Sequence, residues 1–99
     1  MTINIQFVNL DYSVSLAEHT TKKLNKMAEK YDWLINADVF FKEEGTNPEK
    51  GKICNIKLSL PGPQIFATSD EKNFEMAVKE TINDLVIQLK KRKQTFMAH

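Results

Sequence analysis

The chain has 99 residues, of which 41% are hydrophobic and 27% are charged, and its formal net charge is +1. This length suits one domain with one modest core, and the hydrophobic fraction excludes an intrinsically disordered chain. A single cysteine excludes an internal disulfide and a cysteine cluster that binds metal. The N-terminus lacks a signal-peptide pattern and no apolar run approaches the roughly 18 residues of a membrane span, so we expect a soluble cytoplasmic protein.

The first third of the chain predicts a strand followed by a helix. Residues 2–9 alternate between apolar and polar side chains, as in a strand with one buried face. Ser13 and Ser15 both offer helix N-caps, and residues 15–18 fit a capping box. Apolar side chains then recur every three or four positions, which predicts a helix that ends near Asp32. The inward-facing residues of this helix are Leu16, Thr20, Leu24, Met27 and Tyr31.

Three further strands and a long helix follow. Alternating side chains predict strands over residues 36–44, 52–60 and 64–69. A loop rich in Gly, Pro and Asn separates the first two of these strands, and a Pro-Gly-Pro turn precedes the last. Residues 71–93 carry the periodicity of an amphipathic helix. Its inward-facing residues are Phe74, Ala77, Val78, Thr81, Ile82, Leu85 and Leu89.

The predicted order β-α-β-β-β-α defines an α+β fold. The first two strands are joined through a helix and should pair in parallel, whereas the last three should form an antiparallel meander. We therefore predict a four-stranded mixed sheet with two helices packed side by side on one face. The second helix should begin at acidic Asp70 and Glu71 and end at the basic run of residues 90–93, which would match the helix dipole.

No residue pattern indicates catalysis. His19 lies beside the inward stripe of the first helix and is expected to be a half-buried or surface side chain, and His99 is the last residue. Cys54 lies on the apolar side of a strand, where a free cysteine usually acts as a small buried hydrophobe. The three glycines are scattered, so no phosphate-binding loop is present. We expect no enzyme activity, no cofactor, no metal site and no small-molecule substrate.

Basic residues on the two helices are the clearest functional signal. Lys22, Lys26 and Lys30 are spaced by four, which predicts one stripe along the first helix, and Lys23 extends this stripe sideways. The basic residues of the second helix are Lys79, Lys90, Lys91, Arg92 and Lys93. If the helices are neighbours, the two sets border one groove. Such a groove suits a phosphate backbone, because each neutralised phosphate releases counterions. A merely solvated basic helix face is the alternative interpretation.

Several segments resemble the short ribosome hibernation-promoting factors, also called ribosome-associated inhibitors or ribosomal subunit interface proteins. Residues 23–26 (Lys-Leu-Asn-Lys) resemble the family's Lys-hydrophobic-x-Lys, and residues 65–68 (Ile-Phe-Ala-Thr) resemble its Ile-x-Ala-Ser strand. Residues 73–78 are similar to its Asp-Met-Tyr-x-Ala-Ile, and residues 85–91 to its Leu-x-Arg-Gln-Leu-x-Lys. The resemblance covers nearly the whole chain, and it implies the same β-α-β-β-β-α fold.

The resemblance implies a ribosome-associated translation inhibitor. It implies binding to the rRNA of the small ribosomal subunit in the mRNA/tRNA channel, which stabilises idle ribosomes as a stress response. Lys23, Lys26 and Lys91 match basic family positions, and Gln88 matches a polar one. We expect residues 1–99 to form a single ribosome-binding domain without the C-terminal dimerisation domain of long family members.

The chain departs from the family pattern on the second helix. Asp84 stands where the family usually has a lysine, Ile87 where it has an arginine, and Glu75 where it has a tyrosine. These changes predict weaker attraction for phosphate. The alternative hypothesis is a diverged member that acts as a protein–protein interaction module or weak homodimer without ribosome binding, through Met76, Val86 and Ile87. A double-stranded RNA binder is a third hypothesis, supported only by the α/β layout.

Overall fold

Four strands and two helices follow one another in the predicted order β-α-β-β-β-α. The computed structural model describes residues 1–97, with side chains through residue 95, so His99 lies outside the described residues. The elements are β1 (Thr2–Phe7), α1 (Val14–Lys30), β2 (Asn36–Glu43), β3 (Lys52–Ser59), β4 (Ile65–Glu71) and α2 (Phe74–Met97).

The strands form one mixed sheet in the order β1-β2-β3-β4. β1 pairs with β2 in parallel, because the helix α1 connects the end of β1 to the beginning of β2. The β2–β3 and β3–β4 pairs are antiparallel, because short connections join them. The predicted α+β fold, with its mixed sheet and antiparallel meander, is therefore confirmed.

The core lies between one face of the sheet and both helices. Val39 of β2 and Ile56 of β3 are opposite each other in the register, and both are fully buried. Leu24 of α1 and Leu85 and Leu89 of α2 are also fully buried, and they belong to the same cluster. Burying one such side chain contributes roughly 1.5–3 kcal/mol of hydrophobic stabilisation. The shared cluster holds the two helices side by side on the sheet.

Two side-chain caps determine where the helices begin. The Ser13 hydroxyl accepts a hydrogen bond from the backbone N–H of Leu16 at 3.2 Å, and this makes Ser13 the N-cap of α1. The capping box predicted at residues 15–18 is therefore wrong, because Ser15 already lies in the first helical turn. At α2, the Asn73 side-chain oxygen accepts a hydrogen bond from the N–H of Met76 at 2.8 Å. Asn73 thus supplies the cap immediately before Phe74.

The residues predicted to match the dipole of α2 do not lie in its end turns, although Glu75 places a different acidic side chain in the first turn. Asp70 and Glu71 belong to β4, because pairing with β3 continues as far as Lys52 opposite Glu71. The Asp70 carboxylate instead accepts a hydrogen bond from the N–H of Gly51 at 2.5 Å. At the other end α2 continues to Met97, so the basic run of residues 90–93 lies before its last turn.

Candidate nucleic-acid interface

A groove of about 240 Å³ lies between α1 and α2, and its lining combines cations with apolar side chains. The cations are Lys23, Lys26, Lys30 and Lys90, and the apolar and aromatic side chains are Met27, Tyr31, Ile82 and Val86. No carboxylate belongs to this lining in the described part of the chain. The net charge of +1 therefore hides a locally cationic surface, which attracts anions.

The apolar floor of the groove is part of the molecule's core. Met27 and Tyr31 are each only 5% exposed, and Ile82 and Val86 are partly buried against the same hydrophobic cluster. Val86 therefore faces α1. The interaction-module hypothesis expected Val86 to form an exposed patch with Ile87, and the structure does not show such a patch. The helical periodicity predicted Met27 and Tyr31 as core residues only. Their spacing beside Lys26 and Lys30 was the signal that they also border the groove.

The cationic walls come from both helices. Lys23, Lys26 and Lys30 are all exposed and lie on the flank of α1 that faces α2. Across the groove, Lys93 extends the wall begun by Lys90, because its Nζ lies 6.0 Å from the centroid of the Tyr31 ring. At that distance the cation–π attraction is weak, so the Lys93 ammonium is free to contact a ligand.

Of two other basic residues predicted at the groove, Lys79 lies on the groove side of α2 and Lys22 lies elsewhere. Lys79 is exposed and precedes Lys90 by eleven residues, which is three helical turns, so it lies on the groove flank of α2. Lys22 instead lines a separate depression beside Tyr12 and Glu18. The predicted stripe of Lys22, Lys26 and Lys30 is therefore divided, and Lys23 takes the place of Lys22 at the groove.

The opposite flank of α2 faces β4 and the turn before it. Gln88 donates a hydrogen bond from Nε2 to the backbone oxygen of Phe66 at 3.0 Å. The Arg92 guanidinium donates from Nη1 to the Pro61 oxygen at 3.2 Å and from Nη2 to the Pro63 oxygen at 2.9 Å. Gln88 and Arg92 are thus outside the groove, and Gln88 Nε2 and both Nη atoms of Arg92 each donate one hydrogen bond to a backbone oxygen within the protein.

Apart from Lys22, the predicted site residues therefore fall into two groups. Lys91 is exposed and follows Gln88 by three residues, so helical spacing places it on the β4 flank as well. That flank also contains Asp84, whose carboxylate lies 3.5 Å from Gln88 Nε2. Lys23, Lys26, Lys30 and Lys90 line the groove, Lys93 lies beside Tyr31 at its edge, and helical spacing places Lys79 on the same flank of α2.

The remaining candidates, Cys54 and His19, are not part of the groove. Cys54 is fully buried, and burial raises the pKa of its thiol from 9.0 to about 12, although a hydrogen bond with the Thr81 side chain lowers it in part. The thiol therefore stays protonated at neutral pH, as a buried hydrophobe should. His19 is half-buried. Within residues 1–97 no group of three or more potential ligands is placed to hold a metal ion, and no helix is long and apolar enough to cross a bilayer.

Comparison with known proteins gives the family. The chain belongs to the family described as sigma 54 modulation protein / S30EA ribosomal protein, whose model matches residues 3–96. A ribosomal subunit interface protein from Coxiella burnetii is 30% identical, with a TM-score of 0.82 over 95% of this chain and 99% of that chain. The N-terminal domain of Protein Y from Thermus thermophilus is 22% identical, with a TM-score of 0.78 over 92% of this chain and 98% of that chain, and it shares the fold. No curated protein sequence matches the chain.

Proposed function

We propose that this protein associates with the ribosome in the cytoplasm by binding the rRNA of the small subunit in the mRNA/tRNA channel. It thereby stabilises idle ribosomes and inhibits translation by occupying the path of mRNA and tRNA, with no catalytic step. The observation that carries this proposal is the groove between α1 and α2, which is bordered by lysines from both helices and lined by no described carboxylate. Membership of the family and likeness to a ribosomal subunit interface protein support the ribosome as the partner.

The arrangement of charge suits a phosphate backbone. Lysines on the two walls are spaced along two rigid helices, so their ammonium groups can contact successive phosphates without ordering a flexible loop. Each contact releases counterions. A plot of the logarithm of the binding constant against the logarithm of the salt concentration should therefore fall with a slope of roughly 0.7–0.9 per phosphate contacted. The groove needs no fixed base sequence for this part of its affinity.

The departures from the family pattern lie largely outside the groove. Asp84 is on the β4 flank, and Ile87 is 55% exposed and does not line the groove. Only Glu75, one helical turn before Lys79, lies by spacing near the groove's entrance. Loss of the family's cations at Asp84 and Ile87 therefore leaves the cationic walls of the groove intact.

An interaction module that binds protein remains the second candidate function. Met76 and Ile87 are 37% and 55% exposed, and a separation of eleven residues places them on one stripe of α2. Two side chains make a small patch compared with the several hundred Å² that mark an interface. We therefore rank this function, and a weak homodimer formed through it, below RNA binding.

Co-sedimentation with vacant small ribosomal subunits, at low and at near-physiological salt, tests the proposal. We expect binding at both salts and its displacement by mRNA together with initiator tRNA. Failure to sediment at either salt, together with a concentration-dependent dimer in analytical ultracentrifugation, would replace ribosome binding with the interaction module.

A further inference from the structure

The apolar floor of the groove points to a ligand that is more than a phosphate chain. We propose that the groove receives one unstacked nucleobase of single-stranded RNA, while the surrounding lysines contact the phosphates on either side of it. This inference rests on the proposed function and names the form of RNA that the groove recognises. The juxtaposition that carries it is Met27, Tyr31, Ile82 and Val86 between cationic walls.

The dimensions of the groove suit a single planar ring system. Its volume is about 240 Å³. Pockets that enclose whole drug-sized ligands range over roughly 300–1,000 Å³, whereas a cavity of about 150 Å³ is enough to enclose benzene. The volume of the groove is therefore of the size that suits one planar ring system.

The chemistry of the floor distinguishes single-stranded from double-stranded RNA. A duplex presents phosphates and 2′-hydroxyls to a protein surface and keeps the faces of its bases stacked. Binding a duplex would leave the apolar surface of Ile82 and Val86 against charged groups, with no favourable contact. An unstacked base buries its face on that surface, and its two neighbouring phosphates lie near Lys26 and Lys90.

An acidic protein helix fits the groove less well than a nucleotide does. Helix-in-groove recognition places apolar anchors at positions i, i+4 and i+7, which extend over about 10 Å along the groove. Here the apolar floor is confined to two side chains from each helix, and both its sides carry lysines. A short apolar floor between cations complements one ring flanked by two anions.

Tryptophan fluorescence offers a direct readout of this floor. Trp33 is the only tryptophan of the chain, and its ring packs edge-on against Tyr31 with centroids 5.8 Å apart. Tyr31 in turn lines the groove. A base that enters the groove therefore changes the surroundings of Tyr31 and, through it, the emission of Trp33.

The first experiment uses the unmodified protein. We titrate it with an eight-nucleotide oligouridylate and with an abasic ribose-phosphate oligomer of the same length and charge, and we follow Trp33 emission and affinity. Stacking of one base should make the intact oligomer bind about 5- to 150-fold more tightly than the abasic one. Equal affinity for the two oligomers would overturn the inference, because phosphate contacts alone would then account for binding.

A matched pair of variants locates the base. Val86→Trp fills the groove without changing any charge, whereas Ile87→Trp adds the same side chain at a neighbouring position outside it. Circular dichroism and thermal melting check that both variants fold, and filter binding measures their affinities, because each variant carries a second tryptophan besides Trp33. We expect Val86→Trp to lose the preference for the intact oligomer and Ile87→Trp to keep it. A preference that survives in a folded Val86→Trp variant would overturn the groove as the base site.

Ribosome co-sedimentation separates this inference from the proposed function. If the unmodified protein binds small subunits but does not distinguish intact from abasic RNA, the base site is wrong and the proposed function stands. If the unmodified protein binds no small subunits, the proposed function itself fails.

Discussion

The two flanks of α2 carry similar residues but use them differently. On the flank that faces α1, the ammonium groups of Lys90 and Lys93 border an open groove. On the flank that faces β4, Arg92 donates two hydrogen bonds to the backbone of the turn, at Pro61 and Pro63. One uninterrupted basic run, residues 90–93, thus supplies both cations that border the groove and an arginine that bonds to the turn before β4. The number of cations in a helix is therefore a poor measure of its capacity to bind phosphate, since some of these side chains already bond to the protein's own backbone.

Charge reversal at the groove should have the largest effect. The variant Lys23→Glu/Lys26→Glu/Lys90→Glu loses three potential phosphate contacts, so its affinity for small subunits should fall at least roughly 100-fold and its salt slope by about 2. Filter binding over a range of salt concentrations measures both quantities. The charge-matched control is Lys50→Glu/Lys57→Glu/Lys72→Glu, whose three sites lie outside both helices. Equal losses in both variants would show that overall charge decides binding and that the groove does not.

Removal of the Arg92 side chain tests the opposite flank. Arg92→Ala leaves two carbonyl oxygens of the turn without their donor, so we expect the free energy of unfolding to fall by about 1 kcal/mol. Affinity for small subunits should stay within a factor of two, because the guanidinium is already engaged. Chemical denaturation and co-sedimentation measure the two effects. The control Lys90→Ala should give the reverse result, weaker binding at unchanged stability, and a large loss of affinity in Arg92→Ala would contradict the division between the flanks.

Restoration of the two family cations sharpens the same comparison. Because Asp84 and Ile87 are outside the groove, Asp84→Lys/Ile87→Arg should raise affinity for small subunits less than tenfold, through long-range attraction only. This gain should disappear at high salt, where such attraction is screened. Filter binding at two salt concentrations measures it. A gain that persists at high salt would show that the β4 flank also contacts RNA.

The smallest effect should come from Gln88. Gln88→Ala removes the hydrogen bond to the Phe66 oxygen, and water can replace it on this exposed edge, so the free energy of unfolding should fall by less than about 1 kcal/mol. Affinity for small subunits should be unchanged. Gln88→Glu serves as a comparison, because it keeps the shape, removes the donor and adds a negative charge beside Asp84. Weaker ribosome binding in both variants would show that Gln88 contacts rRNA, as the family resemblance implies.

Most of the fold follows from local patterns in the sequence. Alternation at Val39 and Ile56 identifies the buried faces of two strands, and the spacing of Leu85 and Leu89 identifies the inward side of α2. Boundaries depended on pairing between distant residues. β4 extends to Glu71 because that residue pairs with Lys52, which no local propensity could reveal. Ser13 rather than Ser15 caps α1, although both serines fit the local signal.

The site was predictable as a set of cations but not as a surface. Periodicity correctly placed Lys26 and Lys90 off the core stripes of their helices. It could not separate Lys90 from Arg92, because the acceptors of Arg92 lie 29 and 31 residues away in the chain. The apolar floor was also hidden, because Tyr31 is both a core residue and a lining residue.

The two helices are attached to the sheet by different kinds of interaction. α2 is fixed by directional hydrogen bonds from Gln88 to Phe66 and from Arg92 to the turn, and the Thr81 hydroxyl, which bonds to the Ala77 oxygen at 2.7 Å, also lies 3.3 Å from the Cys54 oxygen. Among the described residues, the buried Thr20 hydroxyl of α1 bonds only to its own helix, at the Leu16 oxygen, so apolar packing alone attaches α1 to the sheet. Apolar contacts are non-directional and tolerate small sliding movements, whereas hydrogen bonds do not. The α2 wall of the groove is therefore held by directional contacts, whereas the α1 wall depends on apolar packing alone.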